Sequence, residues 1–250
     1  MKYINLIGVV TLAILNYSPA SARASDIRPI SEAHVEAASP GVVRIVCRQA
    51  GSDVLQVSRG GIIQTADTRR GEVILTTSHG LRDVSGTALE ECWLYAPGGH
   101  RVDITSLTMP DRITEPGDDW AIIVTEEPFA PATVRLAPGR LSDLAQRDVP
   151  VAMLGPAARD RFCRLSHGVL NSDRIADLFT HDCRSRHGLS GTPLAVDTGD
   201  RLVIVALNIG RVLTLGSDID SQGLALGLGG ELGLTLEQAI GSVTNSRAGD

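Results

Sequence analysis

Three short segments carry the residue types that acyl transfer needs. The first is Cys183-Arg184-Ser185-Arg186-His187-Gly188-Leu189-Ser190-Gly191-Thr192-Pro193-Leu194, a serine set between glycines just ahead of an apolar run. A nucleophilic hydroxyl has to stand exposed on a tight turn. Backbone N–H groups must converge on the oxyanion that develops as it attacks, and glycine allows that close approach. On this reading Ser190 is the nucleophile, and the N–H groups of Gly188 and Ser190 are the oxyanion donors. The second segment is Thr76-Thr77-Ser78-His79-Gly80, where an apolar run delivers a histidine among small neighbours that leave its ring accessible. The third is Gly117-Asp118-Asp119-Trp120-Ala121-Ile122-Ile123. Adjacent side chains of an extended chain point to opposite faces, so one of the two carboxylates is expected buried at the strand start and the other solvated. Taken singly, each segment is an ordinary feature: a glycine-serine turn, a surface histidine, a capping acid.

The elements around these segments are short. Runs rich in Val, Ile, Leu and Thr recur at 42–47, 61–64, 72–77, 92–95, 102–107, 120–125, 149–154, 164–170, 192–196, 202–207 and 223–228. Gly, Asp, Pro and Ser separate them, with clear turns at 96–99 and 115–118. Many short strands divided by turn residues predict an all-β sandwich or barrel. His79 then ends one strand, Asp119 begins another, and Ser190 precedes a third. A short helix is expected within 30–39, stopping before Pro40-Gly41, and a closing helix over 234–243. The stretch 128–142 has three prolines and little strand pattern, and reads as the link between two β halves.

Length and composition agree with this. The chain has 250 residues, enough for one domain of two packed halves; 43% are hydrophobic but only 3% aromatic, so the core is aliphatic. A net charge of −6 argues against a nucleic-acid partner, which needs a positive surface. Residues 1–24 read as a secretory signal peptide: Met1-Lys2, an apolar run over 4–15, and Ala22-Arg23-Ala24 before the expected cut. That run is shorter than the roughly 20 residues of a membrane span, so no anchor is expected after cleavage. Four cysteines, Cys47, Cys92, Cys163 and Cys183, suggest two disulfides in an exported chain. Three pairings are open. If the chain has two halves, Cys47–Cys92 and Cys163–Cys183 staple one half each. With no Cys-x-x-Cys spacing, no metal site is expected, and the chemistry requires no cofactor.

Together the three segments resemble the trypsin-like serine peptidases. Thr77-Ser78-His79-Gly80 is similar to that family's Thr-Ala-Ala-His-Cys, Asp119-Trp120-Ala121-Ile122 to its Asp-x-Ala-Leu, and Gly188-Leu189-Ser190-Gly191-Thr192-Pro193 to its Gly-Asp-Ser-Gly-Gly-Pro. The order His, Asp, Ser is also the family's. The resemblance runs from about Pro40 to Leu228. It implies two antiparallel six-stranded β-barrels, one over about 40–130 and the other over about 135–230, with the site in the cleft between them. It also implies a His79–Asp119–Ser190 triad acting on a protein or peptide substrate, and a strand over 203–210 that lines the pocket. Arg184, Asn208 and Gly210 are the expected pocket residues. Leu189 stands where the digestive enzymes carry the acid that pairs with a new N-terminus, so that activation switch is absent. Gly80 replaces a cysteine, removing a bridge beside the histidine. The Gly-x-Ser-Gly-x-Pro motif is similar to that of the glutamyl endopeptidases, but Asn208 takes the place of their pocket histidine and glutamyl specificity is not assigned. A second reading of the same residues is an inactive or partner-activated homologue that uses the cleft for binding. A carbohydrate-binding sandwich would leave the three ordered motifs as coincidence.

Overall fold

The computed structural model describes residues 20–21, 27–49, 51–65, 71–131, 135–140, 148–155, 161–167, 177–212 and 222–245. In chain order the elements are β1 (Ala20–Ser21), α1 (Glu32–Ala38), β2 (Val42–Arg48), β3 (Leu55–Ile63), β4 (Val73–Thr76), β5 (Glu91–Tyr95), β6 (Arg101–Asp103), β7 (Ser106–Thr108) and β8 (Ala121–Val124). They continue with β9 (Ala137–Arg140), β10 (Val149–Met153), β11 (Phe162–His167), β12 (Leu178–His181), β13 (Pro193–Asp197), β14 (Leu202–Val212), β15 (Gln222–Gly227) and α2 (Gly230–Asn245).

The strands form two antiparallel barrels. The first runs β6-β5-β2-β3-β4-β8-β7. Only Ile104 and Thr105 separate β6 from β7, so these are two halves of one bent strand that closes a six-stranded ring between β5 and β8. The second runs β14-β13-β10-β11-β12-β15 and closes as β15 pairs back onto β14. The expected pair of six-stranded barrels and the C-terminal helix are therefore present.

Some elements differ from expectation. The run at 102–107 is split by the bend. Residues 61–64 fall at the end of a nine-residue strand that begins at Leu55. The stretch 128–142 contains β9, which pairs parallel with β14, and β12 was not anticipated. The leader expected over 1–24 lies outside the described residues, save Ala20–Ser21 on β9.

Strand alternation sorts the aliphatic residues into three cores. Ile45, Ile62, Ile74, Ala121 and Ile123 fill the first barrel. Val151, Met153, Leu165, Leu194 and Val203 fill the second. The opposite faces of the same strands, with Ile63, Leu75, Ile122, Leu154, Ile204 and Leu207, meet between the barrels. Leu232, Leu236, Ile240 and Val243, spaced for one face of α2, bring the C-terminal helix onto this shared core.

Burying apolar area at about 25 cal/mol per Å² favours this interleaving. One polar lock adds to it. Glu72 and Arg135 are both buried and joined by two bonds of 2.8 Å, Nε to Oε2 and Nη2 to Oε1. The N–H groups of Phe129 and Ala130 also donate to Glu72 Oε1, so the inter-barrel link is tied to the first barrel. The disulfides are Cys47–Cys92, joining β2 to β5, and Cys163–Cys183, joining β11 to the segment before Ser190. One bridge lies in each half.

Candidate active site

His79 opens a short 3-10 turn (His79–Leu81) that follows β4, and Asp119 stands just ahead of β8. Because β4 and β8 are antiparallel neighbours, with Thr76 opposite Ala121, these two strand ends meet. Asp119 Oδ2 lies 2.6 Å from His79 Nδ1, and Asp119 Oδ1 accepts the His79 backbone N–H at 2.9 Å. Ser78 Oγ donates to the same Oδ1 at 3.3 Å. The carboxylate is buried, whereas the imidazole keeps 38% of its side-chain surface exposed. Gln56 Nε2 donates to the His79 carbonyl at 2.5 Å and fixes the turn from β3.

The paired acids divide as expected, one buried and one outward, though by a 3-10 turn over Pro116–Asp118 rather than by strand alternation. Asp118 turns outward and closes a capping box, accepting from the Thr114 N–H and hydroxyl and the Glu115 N–H. Partial burial would raise its pKa, but these hydrogen bonds outweigh it and hold the carboxyl below its ordinary value.

The serine segment makes two consecutive hydrogen-bonded turns, with Leu189 N–H donating to the Arg186 carbonyl and Thr192 N–H to the Leu189 carbonyl, each at 3.1 Å. Gly188 and Gly191 occupy the third position of each, with φ +82° and +78°. Those values belong to type II turns, which require φ > 0 at that position and hence glycine. The three-residue spacing of the glycines is the repeat of this double turn. A type II turn also reverses its central peptide relative to type I, which sets the direction of the Gly188 N–H. Among the described residues, neither the Gly188 nor the Ser190 N–H is used by another backbone group.

Two clamps hold the double turn. On one side the Arg59 N–H donates to the Ser190 carbonyl at 2.8 Å, and Arg59 Nε to the Gly188 carbonyl at 3.2 Å. Gly191 lies so close that an added Cβ would sit 2.0 Å from the Arg59 carbonyl oxygen. On the other side is Asn208. Its backbone exchanges bonds with Gly191 and Thr192, and its Nδ2 donates to the Leu189 carbonyl at 2.7 Å. Its Oδ1 accepts from Ser185 Oγ at 3.0 Å and faces His181 Nε2 at 3.1 Å. Since Oδ1 is an acceptor, the neutral His181 ring carries its proton on Nε2. Burial pushes the pKa of His181 down to about 4, with the Asn208 bond and the Asp182 charge offsetting only part of this.

The structure thus brings His79 and Asp119 into direct contact and sets Ser190 against Arg59 of β3, whose next residue Gly60 pairs with Thr76, three residues before His79. Ser190 Oγ makes no hydrogen bond to His79 among the described residues; such contacts commonly tighten when substrate binds. The pocket residues fare differently. Arg184 is exposed and Gly210 half-buried, whereas Asn208 is fully buried and spent on the serine turn rather than facing the cleft. Gly80, where the resembling family has a cysteine, packs instead on Ser58, with an added Cβ meeting Ser58 Cβ at 2.7 Å.

Similar backbones are found among solved structures. The protease Anisep from Arthrobacter nicotinovorans superposes with a TM-score of 0.58 at 15% identity, over 82% of this chain and 97% of that one. The fold is that of the trypsin-like serine proteases. In this trypsin-like frame the thermostable serine protease AL20 from an extremophilic microorganism matches with a TM-score of 0.59 at 15% identity, over 82% of this chain and 99% of that one. The Rv3671c protease of M. tuberculosis in its active form matches at 0.54 and 18% identity, over 87% and 89%. No family model and no curated protein sequence matches the chain.

The sequence assigns no role to Arg59, Gln56, Ser185 or His181. Gln56 shows as a polar residue between Leu55 and Val57, which composition alone cannot tell from a solvated face, and Ser185 and His181 sit among polar and charged neighbours that carry no signal.

Proposed function

We propose that the chain is an exported serine endopeptidase. The observation that carries this is the Asp119 carboxylate gripping His79 at both Nδ1 and backbone N–H, in a fold that holds Ser190 on a double type II turn against β3. In this mechanism Ser190 Oγ attacks the scissile carbonyl. His79 takes its proton and returns it to the leaving amine. Asp119 holds the imidazole tautomer and stabilises its charged form. The Gly188 and Ser190 N–H groups bind the oxyanion, where losing one donor costs about 2.7–4 kcal/mol of barrier. The acyl-enzyme is then hydrolysed by the same groups in reverse. The substrate backbone runs along β14 past Gly210, with Arg184 at the mouth of the pocket. Glutamyl specificity is not part of the proposal, since Asn208 is buried. Export is supported by two disulfides, which persist in oxidising compartments.

A fluorophosphonate probe tests the reading: the folded chain should be labelled, and Ser190→Ala should abolish labelling. A folded wild type that stays unlabelled would sink it. One observation favours a second reading, a homologue activated by a partner: Ser190 Oγ has no hydrogen bond to His79. On that reading labelling appears only after substrate or a partner is added.

A further inference from the structure

Strand register places two arginines face to face. In the β2–β3 pairing Arg44 lies directly opposite Arg59, and in the β2–β5 pairing it lies opposite Tyr95. Like charges directly opposite on neighbouring strands are unfavourable. Neither arginine has an ion-pair partner among the described residues. The Arg44 guanidinium instead rests on the Tyr95 ring, 4.5 Å from its centroid. Burial, then the charges of Arg186 and Arg44, lower the pKa of Arg59.

These side chains line a cavity of about 600 Å³ that Arg161, just before β11 in the second barrel, completes from the other side. Among the described residues Glu36 is the one acid in its wall. In a chain of net charge −6, Arg44 and Arg59 side by side against that single carboxylate form a local positive site. Arg59 also joins this cavity to the serine turn, because its Nε holds the Gly188 carbonyl and its N–H the Ser190 carbonyl.

We propose that this pocket binds the carboxylates of an acidic segment of the polypeptide substrate. The segment lies a few residues from the bond cleaved, since extended chain advances about 3.3 Å per residue and Arg59 is bonded to Ser190 itself. Guanidinium forks pair with carboxylates through two parallel N–H···O bonds. A carboxylate between Arg44 and Arg59 removes the repulsion that the fold leaves in place. That the segment belongs to a substrate rests on the peptidase reading; the binding itself does not.

The test separates the two. Ser190→Ala protein is titrated, by fluorescence anisotropy, with two labelled dodecapeptides that differ in three Glu versus three Gln. The Glu peptide should bind about tenfold more tightly at low salt, as a pair of charge-assisted contacts allows. That advantage should shrink as salt rises and vanish in Arg44→Glu, but survive the same charge change at the exposed turn residue Arg201→Glu. Equal binding of the two peptides, or an equal loss with Arg201→Glu, overturns the site. In wild type, kcat/KM for a Glu substrate should exceed that for its Gln twin, with the difference gone in Arg44→Glu. Equal rates on both substrates in a labelled, active enzyme overturn the substrate assignment.

Discussion

Replacing Asn208 by Leu removes the hydrogen-bonding centre of the serine turn while nearly keeping its volume. Two groups lose their partner, the Ser185 hydroxyl and the His181 Nε2–H, both in residues at most 5% exposed, while the Leu189 carbonyl keeps only the Thr192 N–H. An orphaned buried polar group costs about 1–3 kcal/mol, so the two together cost about 2–6 kcal/mol. Burial of the leucine side chain returns about 1.5–3 kcal/mol. A net loss of about 2 kcal/mol lowers Tm by roughly 4–8 °C in a chain of this size. The turn should also loosen at Leu189, between the two oxyanion donors, so fluorophosphonate labelling should slow more than tenfold at a temperature where circular dichroism still reports a folded chain. A Tm within about 2 °C of wild type, with labelling within twofold, would refute the argument that Asn208 holds the turn.

Other consequences follow from the same geometry. His181 is neutral when buried, with its pKa lowered to about 4 from 6.5, so the unfolded chain binds the extra proton in between. Stability should therefore hold above about pH 6.5 and fall toward pH 4, by about 3 kcal/mol for this group; urea midpoints across that range measure it, and His181→Gln should flatten the slope. Glu72→Gln leaves Arg135 charged and buried, which should cost about 3–5 kcal/mol, whereas joint replacement of Glu72 and Arg135 by methionine should recover most of it in the same urea titration. Gly191→Ala forces a Cβ against the Arg59 carbonyl at a φ of +78°, so Tm should drop and labelling should vanish even in the folded fraction.

The fold was legible because its information is local. Short aliphatic runs, turn residues and small glycine-rich corners recur along the whole chain, and two barrels are a way to close many short strands without exposed edges. Polar residues hid what remained. The first half of β3 turns Gln56 and Ser58 inward and Leu55 and Val57 outward, the reverse of the usual pattern, so that segment did not read as a strand. Inward Gln56 is there to hold the His79 carbonyl. β9, inside a proline-bearing link, pairs through Ala137 and Pro138 at the margin of β14, where proline's missing donor is tolerated. His79, Asp119 and Ser190 were legible as types at strand ends, while the residues that hold them were not, since they are fixed by pairing between distant strands.

Asn208 shows most directly why a pocket could not be read from spacing. Along β14, Leu202 and Ile204 face the core between the barrels, and strict alternation would send Asn208 there too. Instead Leu194 pairs with Ala206 and Ala195 with Ile204, leaving Val205 as an extra residue in the ladder. That bulge reverses the alternation: Leu207 and Ile209 take the inter-barrel face, and Ala206 and Asn208 turn to the other side. A one-residue slip exchanges every side chain that follows it. Nothing in the string Val203-Ile204-Val205-Ala206-Leu207-Asn208 marks where the extra residue lies, because all but the last are aliphatic. The bulge is what brings an amide under Leu189, and its consequence is testable: deleting Val205 removes only the extra residue and should keep Asn208 at the turn with labelling retained, whereas deleting Val205 and Leu207 together should carry Asn208 to the inter-barrel face and abolish labelling along with the Asn208-dependent part of the stability.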